Sequence, residues 1–310
     1  MLISDKSESE IIKEIIFEFL DEKILDDASF IISEEGIAVI NIDTFVDKTD
    51  APKSMPYKSY GYKTVIMSAS DVLAKGARPK YFLLSASIPR TLKIEEFREI
   101  IRGVSFACKK YGIKFIGGDL NEADNIVLSG VSLGFTDKII KRDGLSVGDY
   151  LWTTGTFGKT GAALHFLLKE GKKLREKEMI EILNAFYYPP LRIECLELIK
   201  NFATSSIDSS DGLAKSLQLL AEASGVKIVI ENIPIDKLAV NYASINNIKA
   251  RDLALYGGEE FEIVFSTKEK IKDVRNCKVY YLGRAEHGEG VYYGGKKLER
   301  KGFEHFKEKA

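Results

Sequence analysis

One eight-residue stretch, Ser206-Ile207-Asp208-Ser209-Ser210-Asp211-Gly212-Leu213, constrains the fold more than any other. The residues before it, Thr204 to Ile207, read as a strand. After it, Leu213, Leu217, Leu220, Ala221 and Ala223 recur at helical spacing. Two carboxylates therefore stand where a strand gives way to a helix starting near Ser210 or Asp211. A helix N-terminus offers free N–H groups and partial positive charge, and Ser or Asp caps it. Taken alone, the stretch is a capped helix. The chain, however, repeats the arrangement at Asp26-Asp27, Asp43, Ser70-Asp71 and Gly117-Gly118-Asp119. Five acidic groups at the ends of apolar segments, or on helices beside them, suggest a shared cation site.

The inventory narrows which cation. His165, His287 and His305 are scattered, and Cys108, Cys195 and Cys277 lie far apart without metal-ligand spacing. Neither zinc nor a Ser-His-Asp triad suits that set, so a metal site would be oxygen-based, for Mg²⁺ or Ca²⁺. The cysteines read as reduced, mostly core residues of a cytoplasmic protein. Net charge is −1, which gives no basic excess for nucleic acid. No apolar run approaches the ~18 residues of a membrane span, and the N-terminus has no signal-peptide pattern.

Along the chain, Ser7 to Leu20 reads as a helix with a Ser7/Glu10 capping box and an apolar stripe of Ile11, Ile12, Ile15, Ile16 and Phe19. Phe30 to Ile32 and Ile37 to Ile42 read as a hairpin turning at Glu34-Glu35-Gly36. Asp47 to Tyr57 is a loop. Helices are expected at Ser59–Lys75, closed by Gly76, and at Ile94–Tyr111, closed by Gly112. Strands are expected at Tyr81–Ile88, Ile113–Ile116 and Ile126–Phe135. The polar stretch Thr136 to Asp149 is the candidate domain link. A second series follows, with strands at Tyr150–Thr154, Val226–Ile230, Phe261–Phe265, Val279–Leu282 and Val291–Tyr293. Its helices are expected at Gly161–Lys169, Glu176–Phe186, Pro190–Phe202 and Ala250–Leu255. The expected class is α/β (α+β) in two domains with mixed sheets, 1–138 and 139–310.

Thr153-Thr154-Gly155-Thr156-Phe157-Gly158-Lys159-Thr160 ends like a P-loop but has threonine where the first glycine is required. It reads as a glycine-rich strand-to-helix turn. Converging carboxylates repel by about 4 kcal/mol per pair at ~4 Å and an effective dielectric of about 20. Divalent cations remove that cost, and Mg²⁺ prefers to share its ligands with substrate phosphates. A Mg²⁺-carboxylate wall without a P-loop points to phosphoryl transfer or another nucleoside-triphosphate reaction.

Together the motifs resemble the thiamine-monophosphate kinase family, within the ATP-binding superfamily that includes aminoimidazole ribonucleotide synthetase. The matching blocks run in order over nearly the whole chain. They are Asp26-Asp27-Ala28, Asp43 with Val46, Ser70-Asp71 through Gly76-Ala77-Arg78-Pro79, and Gly117-Gly118-Asp119. They continue with Arg142-Asp143-Gly144, Asp208 to Leu213, Gly257-Gly258-Glu259-Glu260 and Gly302 to Phe306. The resemblance implies an aminoimidazole ribonucleotide synthetase-like fold whose N-terminal domain closes a barrel with a second copy, as a homodimer. It implies several Mg²⁺ ions held by Asp27, Asp43, Asp71, Asp119, Asp208 and Asp211. Gly118, Asp119, Arg142 and Ser210 would meet ATP, and Glu259 and Phe303 the acceptor. Asp208, Asp211 and Arg142 would carry catalysis. The reaction would transfer the γ-phosphoryl of ATP to thiamine monophosphate.

The chain departs from the family pattern at named positions. Leu25 stands for a glycine, Asn41 and Ile42 for hydroxyl residues, Ile101 for an aromatic residue and Phe303 for tryptophan. Asp50 takes the place of a substrate-contacting histidine. These leave two alternatives to the kinase: a related superfamily enzyme with another acceptor, or a non-catalytic ATP-binding dimer.

Overall fold

The computed structural model describes residues 3, 8–21, 26–34, 36–271 and 276–299. Ser7, Leu25, Glu35, Phe303 and the Gly302 to Phe306 block lie outside the described residues.

The N-terminal helix is α1 (Glu8–Ile11), a π turn (Ile12–Ile16) and α2 (Phe17–Phe19). Its expected apolar stripe is not buried within the chain: Ile15, Ile16 and Phe19 are exposed. The hairpin forms as expected, with β1 (Ser29–Ser33) antiparallel to β2 (Gly36–Val46) and Ser33 opposite Gly36. The expected loop then opens with a single helical turn, α3 (Asp47–Asp50). Two long helices, α4 (Tyr57–Ala74) and α5 (Ile94–Tyr111), match the periodicity, and Gly112 closes α5 in the left-handed conformation. They cross where Gly61 faces the Ile100 carbonyl and Gly103 faces the Lys58 carbonyl. A methyl group at either glycine would strike that backbone.

Strands β3 (Arg78–Ile88), β4 (Lys114–Glu122) and β5 (Val127–Thr136) complete the first sheet, in the order β1-β2-β5-β3-β4. All neighbours are antiparallel except β3 and β4. The strand expected to stop at Ile116 runs on to Glu122, because β3 pairs with it along that whole length. Gly117-Gly118-Asp119 therefore lies inside an edge strand rather than in a turn.

The second sheet gathers β6 (Tyr150–Thr153), β7 (Ala203–Ser209), β8 (Lys227–Ile230), β9 (Glu262–Thr267), β10 (Tyr280–Glu286), β11 (Gly290–Tyr293) and β12 (Lys296–Lys297). Its order is β12-β11-β8-β10-β6-β9-β7, antiparallel except between β11 and β8. Around it stand α6 (Lys159–Lys169), α7 (Glu176–Tyr187), α8 (Leu196–Phe202), α9 (Leu213–Ser224), α10 (Lys237–Asn246) and α11 (Ala250–Tyr256). Helix α10 has no counterpart in the sequence reading. This is a mixed α/β fold with two mixed sheets.

Helix α4 is buried along most of its length and lies between the two sheets. One apolar cluster runs from Phe45 and Phe82 through Ile100 to Phe186 and Phe265, and so joins both halves. Among the described residues, no helix is long and apolar enough to cross a membrane. The cysteine expectation needs correction. Cys195 and Cys277 form a disulfide, and only Cys108 is free. The fold brings residues 82 apart in sequence to a Cα separation of 5.0 Å, which spacing alone does not reveal.

Candidate active site

The opening motif sits where β7 runs out. Asp208 is on its last turn of extended chain, opposite Ile263 of β9. The backbone then turns through Gly212 (φ 107°, ψ 148°), a conformation that a side chain would disfavour. Helix α9 consequently begins at Leu213, later than expected. Ser210 and Asp211 stand in the turn before it and form no side-chain cap. Instead Asp211 pairs with Lys215 at 2.7 Å, one helical turn on.

Two segments converge on Asp208. Helix α4 brings Asp71, and the chain before β1 brings Asp27. Asp27, Asp71 and Asp208 each offer an oxygen within 4.8 Å of the others. Ser70 donates its hydroxyl to Asp208 (2.8 Å), and the Asn41 amide donates to Asp71 (2.5 Å). Asp43, on β2, accepts from the Thr44 N–H at 2.7 Å. Among the described residues, Asp43, Asp71 and Asp208 make no ion pair.

The electrostatics follow from that geometry. Burial pushes Asp208 up to about 7, and the nearby Asp27, Asp211 and Asp43 add to the rise. Burial also raises Asp43 to about 7, with Glu259, Asp211 and Asp50 contributing. Asp71 is raised well above the carboxylate range by burial and by Asp208, Asp27 and Asp43. Asp27 behaves oppositely. Burial would raise it, but Arg142 and Lys75 outweigh burial and hold it low.

The cations responsible are close. Arg142 Nε donates to Asp27 Oδ1 at 2.8 Å, and its Nη2 contacts the same oxygen. The Lys75 ammonium lies 2.5 Å from Asp26 and 2.7 Å from Asp27. Sequence reasoning missed Lys75. A lysine one residue before a helix-closing glycine has an adequate local explanation in the helix dipole.

Beside the acids opens a cavity of about 530 Å³. Asp43, Ser210, Asp211 and Glu259 line its acidic end, and Met67, Leu164, Phe186 and Phe261 give it an apolar wall. Glu259 (φ 66°) and Phe261 (φ 53°) both hold left-handed backbone, a strained geometry for side-chain-bearing residues. The segment is tied down by Glu259 N–H to the Ser210 carbonyl (2.6 Å) and Phe261 N–H to the Ser209 carbonyl (3.0 Å). The Glu259 carboxylate pairs with Lys63, which is fully buried, 3.9 Å from the centre of the Phe186 ring. Burial raises the Glu259 carboxyl, and Lys63 offsets part of the rise. Lys63 was another residue the motifs did not single out. Asp50 also lines the cavity, but its carboxylate turns back to accept the Val46 N–H at 2.7 Å.

Gly118 and Asp119 do not join the cluster within one chain. They are exposed on edge strand β4. The register runs Thr44, Ser129, Ser85, Asp119 across the sheet, so Asp119 shares a face with Thr44. Asp43, the next residue, points to the opposite face. Two strands intervene, about 14 Å at ~4.8 Å per strand.

The P-loop-like turn is filled by the protein's own acids. Glu260 accepts the Gly158 N–H (3.1 Å) at the start of α6, and Glu262 packs against Gly155 while it pairs with Arg192. No anion is needed there. A larger surface groove beside Lys138 and Phe202 contains none of the site acids.

Residues 25–136 match the family model for the AIR synthase related protein, N-terminal domain. A thiamine-monophosphate kinase of Pyrococcus horikoshii is 36% identical over 97% of this chain and 96% of its own. The chain belongs to the thiamine-monophosphate kinase family. A solved structure described as AaThiL complexed with AMPPCP and TMP superposes with a TM-score of 0.93 at 30% identity, covering 98% of this chain and 99% of that one. The thiamine monophosphate kinase of Aquifex aeolicus superposes at 0.87, with 28% identity over 96% of this chain and 100% of that one. The expectation of a mixed α/β, aminoimidazole ribonucleotide synthetase-like fold is thus borne out.

Proposed function

We propose that the protein is a Mg²⁺-dependent kinase that transfers the γ-phosphoryl of ATP directly to thiamine monophosphate, giving thiamine diphosphate and ADP. One observation carries the reading: acids from α4, β7 and the chain before β1 converge beside a half-polar, half-apolar cavity. The full-length family relationship supports it. The donor set fits Mg²⁺, because it is all hard carboxylate oxygen and its like charges are close enough to repel. Asp43, Asp71, Asp208 and Asp211 are the residues that would hold the ions, with Asp119 and Asp27 completing the family set. Bound there, Mg²⁺ would neutralise charge on the triphosphate.

The chain's own groups do the rest. Arg142 and Ser210 would meet the nucleotide phosphates, and Gly118, on exposed edge strand β4, would meet nucleotide from a second copy. Glu259, the Asp50 turn and Phe303 receive the acceptor, whose flat aromatic rings suit the wall of Met67 and Phe186. An oxygen of the acceptor phosphate attacks the γ-phosphorus as the bond to ADP breaks. That oxygen is anionic near neutral pH, so no strong general base is required. Asp50 turned towards the Val46 N–H keeps its charge away from the acceptor phosphate, and Lys48 and Lys53 at the same cavity supply positive charge.

The same reading makes the protein a homodimer with an N-terminal ATP/Mg²⁺-binding and dimerisation domain (1–138) and a C-terminal domain (139–310). Two features support this. Asp119 faces away from its own acid cluster, which suits delivery to a partner's site. The same face of the first sheet also carries exposed Ile31, Ile42 and Phe135, an apolar patch of the kind that partners cover. We further read it as a cytoplasmic enzyme, because ATP is its donor; buried disulfides do occur inside the cells of thermophiles.

The test is to follow ADP and thiamine diphosphate together. Thiamine diphosphate should appear in step with ADP, and Asp211→Asn should abolish both while the protein stays folded. ATP binding with no thiamine diphosphate formed would overturn the acceptor assignment.

A further inference from the structure

The acid cluster has one end that is already neutral. Every carboxylate oxygen of Asp26 and Asp27 has a cation or an N–H group beside it. Asp26 Oδ1 accepts from Lys75 (2.5 Å) and from the Asp27 N–H (2.8 Å), and Asp26 Oδ2 accepts from the Arg142 N–H (3.1 Å). Asp27 Oδ1 is held by the Arg142 guanidinium and Asp27 Oδ2 by Lys75 (2.7 Å). The Lys75 side chain is fully buried; it donates to Asp26 and to the Ser206 carbonyl (2.8 Å) and stands against Asp27 Oδ2 as an ion pair. Its backbone is fixed too: the Lys75 N–H meets the Asp71 carbonyl, and the Lys75 carbonyl accepts from Ile140. Two carboxylates face two permanent cations. At the other end, among the described residues, Asp43, Asp71 and Asp208 have only neutral donors.

We propose that Lys75 is an internal counter-ion, standing at the Asp26–Asp27 end of the cluster where a divalent cation would otherwise bind, so that metal is confined to Asp43, Asp71, Asp208 and Asp211. The ammonium does at this end what a bound ion would do. It sits among three oxygens at 2.5–2.8 Å and cancels their repulsion. A divalent cation arriving there would have to strand a buried ammonium without a partner, which is strongly unfavourable. Asp27 therefore acts in this chain as a positioning residue. Locked by Lys75 on one oxygen, it holds the Arg142 guanidinium with the other, ready for an anionic ligand. This departs from the family expectation of Asp27 as a metal ligand, although its oxygens lie within reach of one.

The inference rests on the metal-site reading of Asp71 and Asp208, but not on the acceptor. The experiment is a Mn²⁺ titration of the full-length protein, free of nucleotide and acceptor, reading free Mn²⁺ by electron paramagnetic resonance. Lys75→Met should bind one more Mn²⁺ per chain than wild type. The double variant Lys75→Met/Asp26→Asn, in which Asp27 and Arg142 balance each other, should return to the wild-type number. Without metal, Lys75→Met should melt below wild type, and saturating Mn²⁺ should recover most of the difference. An unchanged or smaller Mn²⁺ number in Lys75→Met overturns the proposal. Should Lys75→Met fail to fold, Asp26→Asn decides: an unchanged number of ions supports the counter-ion role, and a lost ion overturns it. Asp71→Asn is the separate control. If it binds as many ions as wild type, the metal-site reading itself fails.

Discussion

The two ends of the acid cluster are built from the same residue type and behave in opposite ways. Asp26 and Asp27 are almost dry, with side chains 7% and 1% exposed, yet Asp27 stays a carboxylate because Lys75 and Arg142 lie against it. Asp208 is about as deeply buried, at 5%, but among the described residues only a serine hydroxyl reaches its carboxylate, and its carboxyl is pushed up to about 7. Burial is common to both, so the difference comes from partners. One end is finished when the chain folds. The other keeps a charge deficit that only a ligand can fill. A site arranged in this way holds its guanidinium in place and leaves Asp43, Asp71 and Asp208 unsatisfied, which on the proposed reading would give a divalent cation its free energy of binding.

The sharpest way to break that comparison is to remove one acid from each end and compare stability without metal. Asp27→Asn leaves buried Lys75 and Arg142 short of a charge partner. Breaking a buried pair in this way costs about 3–5 kcal/mol, to be read from urea unfolding in EDTA. Asp208→Asn removes a like charge from a crowded group and keeps an oxygen to accept from Ser70. At pH 8 its metal-free stability should equal or exceed wild type. If the two variants lose stability alike, the ends are not different in kind. Turnover should separate them the other way for Asp208→Asn, which should fall by about 10²–10³, the scale of losing one preorganised charge-stabilising group. A smaller effect is expected at Glu259, where Lys63 repeats the balanced arrangement at the acceptor cavity. Lys63→Met should raise KM for the acceptor about tenfold, ~1.4 kcal/mol, with kcat little changed. A fall in kcat alone would show that Lys63 serves the reacting groups rather than acceptor binding.

The open end was legible in the sequence and the balanced end was not, for a physical reason. Asp71 announced itself because an acid among apolar helix positions needs an explanation. Asp208 and Asp211 did so because acids at a strand-to-helix turn recur along the chain. Lys75 needed no explanation locally, and its partner Asp26 is 49 positions away, so only folding reveals the pair. Ile94–Tyr111 was readable to the residue because a strong apolar stripe ends at a glycine that adopts the left-handed conformation. Helix α10 was passed over, since its buried face is little more than Ala239, Tyr242 and Ala243. The length of β4 depends on β3 rather than on its own residues. Asp119 shows the limit most clearly. Its motif matches the family, but which active site it can serve depends on the sheet face, and that is set by register across four strands.

The gentlest probe is pH, because in the neutral range it titrates one end only. Asp43 and Asp208 titrate at about 7 when folded, against about 3.9 when unfolded, and Asp71 is also raised. A folded state that holds protons more tightly than the unfolded one gains stability below the unfolded pKa and loses it as pH rises through the folded pKa. Asp27 is depressed instead, so its contribution is complete above about 4 and does not change between pH 6 and 8. In EDTA, the melting temperature should therefore rise as pH is lowered from 8 to 6, by about 2–4 °C if the net gain is near 1 kcal/mol. Asp208→Asn should flatten that slope most, and Asp27→Asn, which removes one of the charges that raise Asp208 and Asp71, should reduce it less. Saturating Mg²⁺ competes with the same protons, so the stabilisation it gives should grow towards pH 8. A melting temperature in EDTA that falls from pH 8 to pH 6 would mean that Asp43, Asp71 and Asp208 are compensated without metal, and the contrast between the two ends would be lost.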